Sequence, residues 1–304
     1  MKQPKLVFAV AAFYFASVVS DLVGQAVPKK LLGSAVFVQQ KNGSAASGFM
    51  VCHAVDEKLC KVYLITNRHA IPATGKAASI QVRVTSETPI GREIKNLTIP
   101  VVGGDGNYLS TVRVNPQFDV VAIKITDALV KNSVQCCFID TVGFATHDII
   151  TKAGLSLGDE IFLLGYPDAI FEERNTSPIL RQGVIATDPK EDFSVNVRLQ
   201  RQYGLPATIP GYLIDANVFP GSSGSMVILK PQAMTIEDNG IVGVASVARQ
   251  QFYILGIVFA SIPIDDVALH PKNSKSGFAL QRMGLGMVLS TDTILNTLKL
   301  FDSN

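Results

Sequence analysis

The sequence predicts an all-β protein, and three observations carry this. Short apolar runs recur along most of the chain. They are rich in Val, Ile, Phe and Tyr, which suit a pleated, half-buried surface. Gly, Pro, Asn and Asp interrupt them at near-regular spacing. The runs fall at 34–38, 48–51, 62–66, 80–84, 97–102, 120–125, 160–164, 184–187, 226–229, 241–247 and 253–262. Many short strands at even spacing indicate a barrel or a sandwich. Helical periodicity is scarce. The best amphipathic segment is 292–301, where Ile294, Leu298 and Phe301 share one face and Ser290 or Thr291 is placed to cap the start. Strand character fades over 131–153, which places a connection between two halves there.

At the N-terminus, Lys2 and Lys5 precede an apolar run from Leu6 to Val19. Basic residues, a short apolar run and small residues after it have the form of a signal peptide, and the run is short for a bilayer span. Cleavage after Ser20 or after Ala26 would suit a signal peptidase; the alternative is an uncleaved signal anchor. The division expected is a leader at 1–26, a first half at 27–140, and a second half with the terminal helix at 141–304. No later stretch is long and apolar enough for a membrane span. The expectation is an exported protein, periplasmic or secreted, with no stable span once the leader is removed.

Composition suits a globular chain with a large core, at 47% hydrophobic and 17% charged residues. The net charge is +2 with Lys and Arg scattered, so no basic stripe argues for nucleic acid and no acidic tail is present. Of four cysteines, Cys52 and Cys60 flank a polar turn between two apolar runs. They are placed to form a disulfide in an oxidising compartment, or to remain two half-buried thiols. Cys136 and Cys137 are adjacent and read as buried apolar residues. Cys-His pairs at zinc spacing are absent, which argues against a metal site.

Three segments carry chemistry. Val62-Tyr-Leu-Ile-Thr-Asn-Arg-His69 delivers a histidine at the end of an apolar run. Asn115-Pro-Gln-Phe-Asp119-Val-Val-Ala-Ile leads an aspartate into another. Asp215-Ala-Asn-Val-Phe-Pro-Gly221-Ser-Ser223-Gly-Ser225 places a serine in a small-residue turn ahead of a third. A serine hydroxyl needs a base to take its proton, and an imidazole base needs a carboxylate to fix its tautomer. The turn needs small residues so that backbone N–H groups can converge on a developing oxyanion. Each segment alone is a common structural string. Together, in the order His69, Asp119, Ser223 and each at a strand edge, they point to nucleophilic catalysis.

These segments resemble the trypsin/chymotrypsin superfamily, and within it the bacterial trypsin-like peptidases related to the Htr group. Thr66-Asn-Arg-His69-Ala is similar to that family's Thr-x-x-His-(Ala/Val). Phe118-Asp119-Val-Val-Ala-Ile is similar to its Asp-(Ile/Leu/Val)-Ala-(Leu/Val). The segment from Asp215 to Ser225 is similar to its Asp-Ala-x-x-x-Pro-Gly-x-Ser-Gly-Gly. Gly158-Asp-Glu-Ile-Phe-Leu-Leu-Gly-Tyr-Pro167 resembles the first strand of its second barrel, and Gly284-Leu-Gly-Met-Val-Leu its closing strand. The resemblance covers about 34–300. It implies two six-stranded antiparallel β-barrels with a short C-terminal helix. It also implies a serine endopeptidase acting on proteins or peptides, with an oxyanion hole at Gly221 and Ser223 and no metal or cofactor. The chain ends soon after the second barrel, so a stand-alone peptidase domain without a PDZ domain is expected.

Departures from the family refine the expectation. Ser225 replaces the usual second glycine. Ala70 stands where animal trypsins have a cysteine. Ser222 stands where they have the aspartate that receives a freed N-terminus, so activation by N-terminal insertion is not expected. By analogy the pocket base is Asn217, a neutral residue that does not select for Arg or Lys. The pocket wall is assigned to 253–262, giving Phe259, Ala260 and Ser261, with 241–247 as the alternative. Phe259 stands where relatives have a serine bonded to the aspartate, so Asp119 would rely on other donors.

Two rival readings stand beside this one. Gly154-Leu-Ser156-Leu-Gly158 matches a nucleophile-elbow string, but that elbow needs a strand before it and a helix after it. The stronger rival is a catalytically silent binding module on a chymotrypsin-like fold.

Overall fold

Val- and Ile-rich runs become strands buried on both faces, which is why they read as nearly continuous apolar stretches rather than alternating ones. The computed structural model describes residues 27–54, 60–89, 91–172, 174–219, 221–236, 242–263 and 282–302. The expected leader, 1–26, lies outside the described residues.

After α1 (Lys29–Ser34), the first half runs through β1 (Ala35–Gln40), β2 (Ala45–Ala54), β3 (Cys60–Thr66), β4 (Ala78–Thr88), β5 (Gly91–Val102), β6 (Val112–Val114) and β7 (Val121–Lys124). Their order in the sheet is β5-β4-β1-β2-β3-β7-β6. After α2 (Thr126–Lys131), the eighth strand, β8 (Ile139–Asp140), pairs parallel to β2. The two ends of this sheet meet where Val102 bridges Tyr108 and Leu109 N donates to Val101 O.

α3 (His147–Lys152) then leads to β9 (Glu160–Gly165) and β10 (Ile179–Ile185). β11 (Phe193–Ser194) and β12 (Thr208–Ile209) bracket α4 (Val197–Tyr203). Next come β13 (Gly211–Asp215), β14 (Met226–Leu229), and the ribbon of β15 (Met234–Ile236) and β16 (Val242–Val244). β17 (Ile254–Pro263), β18 (Arg282–Ser290) and α5 (Thr291–Lys299) finish the chain. Six of these strands close a barrel in the order β10-β13-β18-β17-β14-β9. Closure leaves that barrel no free edge. The second half thus has the six strands expected. The first has eight in an open order, because β5 is bridged only to Tyr108 in the connection before the three-residue β6 and forms no ladder with β6 itself.

Three apolar clusters explain the two-lobed shape. Val38, Met50, Leu64, Val82, Ile99 and Ile123 fill the inside of the first sheet. Leu163, Tyr212, Ile214, Val227, Val258 and Val288 fill the closed barrel. Their sequence neighbours point the other way, as period-two side chains must. Phe37, Phe49, Tyr63 and Ile65 from the first sheet meet Phe162, Leu164, Met226, Ile257, Met287 and Leu289 from the barrel in a third cluster between the lobes. This seam positions the site.

α5 docks on the seam with Ile294 and Leu298 fully buried. Its sequence neighbour Phe301 packs 4.9 Å from the ring of Tyr63. Arg113 closes the end of the helix: Nε donates to Leu300 O at 3.0 Å and the guanidinium lies over Phe301. Ser290 is the N-cap residue, but its hydroxyl faces Thr293 Oγ1 and not a backbone N–H.

The 131–153 segment contains β8 and α3. The elbow reading of Ser156 fails here. A helix precedes that turn and a strand follows it, and Ser156 N donates to Asp159 Oδ2 at 2.8 Å. Among the described residues no helix is long and apolar enough to cross a membrane.

Candidate active site

β3 runs as a buried strand to Thr66, and the chain then turns through Arg68–Ala70. This delivers His69, half-exposed, to the lobe boundary. Asn67 is fully buried, and its Nδ2 donates to Asp119 O at 2.6 Å. The segment before β7 is shaped by Asn115, whose Oδ1 accepts from Gln117 N and Phe118 N and whose Nδ2 donates to Thr297 Oγ1 in α5. Asp119 emerges facing the histidine. Its Oδ1 accepts from His69 N at 3.1 Å, and its Oδ2 lies 2.5 Å from His69 Nδ1. With a carboxylate accepting at Nδ1, the tautomer favoured leaves Nε2 free to act as a base.

Burial pushes the Asp119 carboxyl up. The hydrogen bond and charge of His69, with the backbone N–H groups of His69 and Arg68, outweigh it and hold the group below its usual range. These are the other donors expected in place of a bond from position 259.

Ser223 comes from the other lobe, in the turn between β13 and β14. Ser222 N donates to Phe219 O, and Ser225 N to Ser222 O. Gly284 O in β18 accepts from Ala216 N at 3.4 Å and Val218 N at 3.1 Å, fixing the start of the segment. Two glycines are required here. Gly221 has φ +78°, and a Cβ there would lie 2.6 Å from Asp168 N. Gly224 has φ +84°, and a Cβ there would lie 1.8 Å from Ser47 O. Among the described residues, the N–H groups of Gly221 and Ser223 have no acceptor and Ser223 Oγ makes no hydrogen bond.

Sequence reasoning missed Ser47, which joins the two lobes. Its N donates to Ser223 O at 2.8 Å. Its Oγ donates to Gly221 O at 3.0 Å and accepts from Tyr166 N and from Ser225 Oγ. Its O accepts from Thr66 Oγ1, three residues before His69. Ser47, Thr66, Ser222 and Ser225 are all fully buried. Ser225, the departure from the family's glycine, thereby acquires a partner.

His69 and Asp119 line a groove of about 690 Å³. Phe259, Ala260, Ser261, Tyr108 and Leu205 line it as well. The β17–β18 register shifts between Val258 and Ala260, which places Phe259 at a bulge. The alternative wall, 241–247, instead forms the β15–β16 ribbon, with Val242 and Val244 exposed. Asn217 stands apart from this groove. It is exposed with φ +49°, and its carbonyl accepts from Arg181 Nη1.

Cys52 and Cys60 are joined as a disulfide between β2 and β3. Cys136 and Cys137 are half-buried and unpaired. Burial pushes the Cys136 thiol up to about 12, which keeps it protonated and apolar in character.

The chain matches no protein-family model and no curated protein. Among solved structures it is similar to the inactive form of the Rv3671c protease of M. tuberculosis, at 18% identity over 90% of this chain and 91% of that one, with a TM-score of 0.47. It is similar to the active form of the same protease at 17% identity over 90% and 83%, with a TM-score of 0.46.

Proposed function

We propose that this chain is a serine endopeptidase in which Ser223 is the nucleophile, His69 the base and Asp119 the orienting carboxylate. The observation that carries the reading is the Asp119–His69 pair, 2.5 Å apart, at the lobe seam, with Ser223 O tied through Ser47 to the strand that delivers His69. His69 Nε2 takes the Ser223 proton as Oγ adds to the scissile carbonyl. The N–H groups of Gly221 and Ser223 receive the oxyanion. His69 returns the proton to the leaving amine, and water then repeats the sequence to free the acid. Catalytic hydrogen bonds in an empty site commonly tighten only when substrate is bound. The apolar groove wall at Phe259 and Leu205 suits extended peptides with apolar residues beside the scissile bond. Export through the 1–26 leader is part of the same proposal.

A fluorophosphonate probe tests it. The wild type should label at one site, and both Ser223→Ala and His69→Ala should abolish or slow labelling by at least about a thousandfold. A folded wild type that never labels would favour the silent binding module instead.

A further inference from the structure

The barrel strand β10 carries an unusual side chain toward the nucleophile turn. The β10–β13 ladder ends at Val184 and Asp215, where β13 gives way to the 216–225 segment. Arg181 lies just beyond the last rung and reaches into the gap. Its Nη1 donates to Asn217 O, and its Nη2 donates to Ser222 Oγ at 2.8 Å. The guanidinium also lies 5.7 Å from the ring centroid of Phe219. Ser222 Oγ in turn accepts from Phe219 N at 3.3 Å. One side chain therefore touches three residues of the six that precede Ser223.

The arrangement is not ordinary surface pairing. Arg181 Nε is buried and has no hydrogen-bond partner among the described residues, and no carboxylate among them forms an ion pair with the guanidinium. Burial pulls the group below the usual arginine value, with the charge of Asp168 pulling the other way. A desolvated cation is retained where its rigid forked geometry fixes acceptors that a flexible lysine would not hold. The held segment and the turn packed against it both contain strained backbone. Asn217 in the segment has positive φ, as do Asp168 and Ala169 in the turn after β9, and Asp168 N is the first atom a Cβ at Gly221 would meet. Strained, non-glycine backbone of this kind persists only when its surroundings over-determine it.

We propose that Arg181 is a positioning residue: its guanidinium clasps 217–222 and so sets the Gly221 and Ser223 amides in the geometry that receives the oxyanion. The catalytic consequence rests on the peptidase reading; the clasp itself does not. An internal arginine, present whenever the barrel is folded, then holds Ser222 without any need for an inserted N-terminus.

The test uses the full chain with Arg181→Ala, Arg181→Lys and Ser222→Ala. Hydrogen exchange over 216–226 reads the clasp directly. Fluorophosphonate labelling reads its consequence, because Ser223 Oγ must displace fluoride with the phosphoryl oxygen in the oxyanion site. Arg181→Ala should exchange faster over 216–226 while β2 and β3 stay protected. Its labelling should slow at least about tenfold with KM for a peptide substrate little changed, and millimolar guanidinium should restore much of that rate. Arg181→Lys and Ser222→Ala should fall between, and they keep the test open if Arg181→Ala does not fold. Wild-type exchange in these variants overturns the clasp. Lost labelling with a general fall in protection and no rescue makes Arg181 merely structural, which overturns the proposal equally. A wild type that never labels removes the peptidase reading, while the exchange data still decide the clasp.

Discussion

The carboxyl of Asp119 is pushed up by burial and pulled down by His69 and two backbone N–H groups, and the downward pull wins. A carboxyl held lower in the folded than in the unfolded chain stabilises the fold above its unfolded value, about 3.9, and that contribution disappears as pH falls through the folded value. The melting temperature of the wild type should therefore drop more steeply below about pH 4 than that of Asp119→Asn. Equal slopes in a pH series of thermal melts would show that the pair contributes nothing to acid stability. At this scale the His69–Asp119 contact was legible, and Ser223 was singled out as a candidate, because each sits in a local string whose neighbours carry meaning. Ser47 and Arg181 were not. A serine in Ala-Ser-Gly or an arginine inside a strand has no local signature. Their partners lie 174 and 41 residues away, brought close only by the seam and by the end of a ladder.

Elements were legible in proportion to their apolar content. The runs at 62–66 and 226–229 became β3 and β14 because every residue in them is buried, and 80–84 became β4 because Ile80, Val82 and Val84 alternate into the core. β13 begins with Gly211 and is cut off by Asp215, and β8 has two residues, so neither stands out from its turn. α2, α3 and α4 have six or seven residues, fewer than two turns, too few for a 3.6-residue period to show. α5 did show, and its buried face is a prediction. Leu298→Ala should lower unfolding free energy by about 2–5 kcal/mol, since it empties a site in the seam. Urea unfolding measures this, and a loss under about 1 kcal/mol would mean the helix is not docked through that side chain. Thr297 beside it accepts from Asn115, so the helix also braces the segment that presents Asp119.

Across the whole molecule, the candidate base and nucleophile belong to different lobes. The apolar seam alone does not fix their register, because non-directional burial tolerates small slides. The hydrogen bonds of Ser47 do. Ser47→Ala would leave Gly221 O and Tyr166 N without their partner in a fully buried place. The expected loss is about 1–3 kcal/mol in stability, with labelling of Ser223 slowed about tenfold or more. Differential scanning calorimetry and the probe measure the two together. Full-rate labelling would mean that the backbone bond from Ser47 N to Ser223 O holds the register by itself. The two-lobed arrangement was legible from the resemblance. The open, eight-stranded form of the first lobe was not, because it depends on how β5 and β6 meet across 103–111.

β18 lies between β13 and β17, and its Gly284 carbonyl holds the start of the segment that carries Ser223. It is also the last strand to be made. Synthesis proceeds at about 5–20 residues per second from the N-terminus, and lobes fold as they appear. A growing chain that has reached Ser225 still lacks the strand that closes its barrel and anchors 216–218. On the peptidase reading, proposed above, the competent geometry around Ser223 would therefore have to wait until β18 is available to pair with β13 and β17. A truncation that removes only β18 and α5 would keep His69, Asp119 and Ser223 in the chain but take away the Gly284 carbonyl that fixes the start of the Ser223 segment.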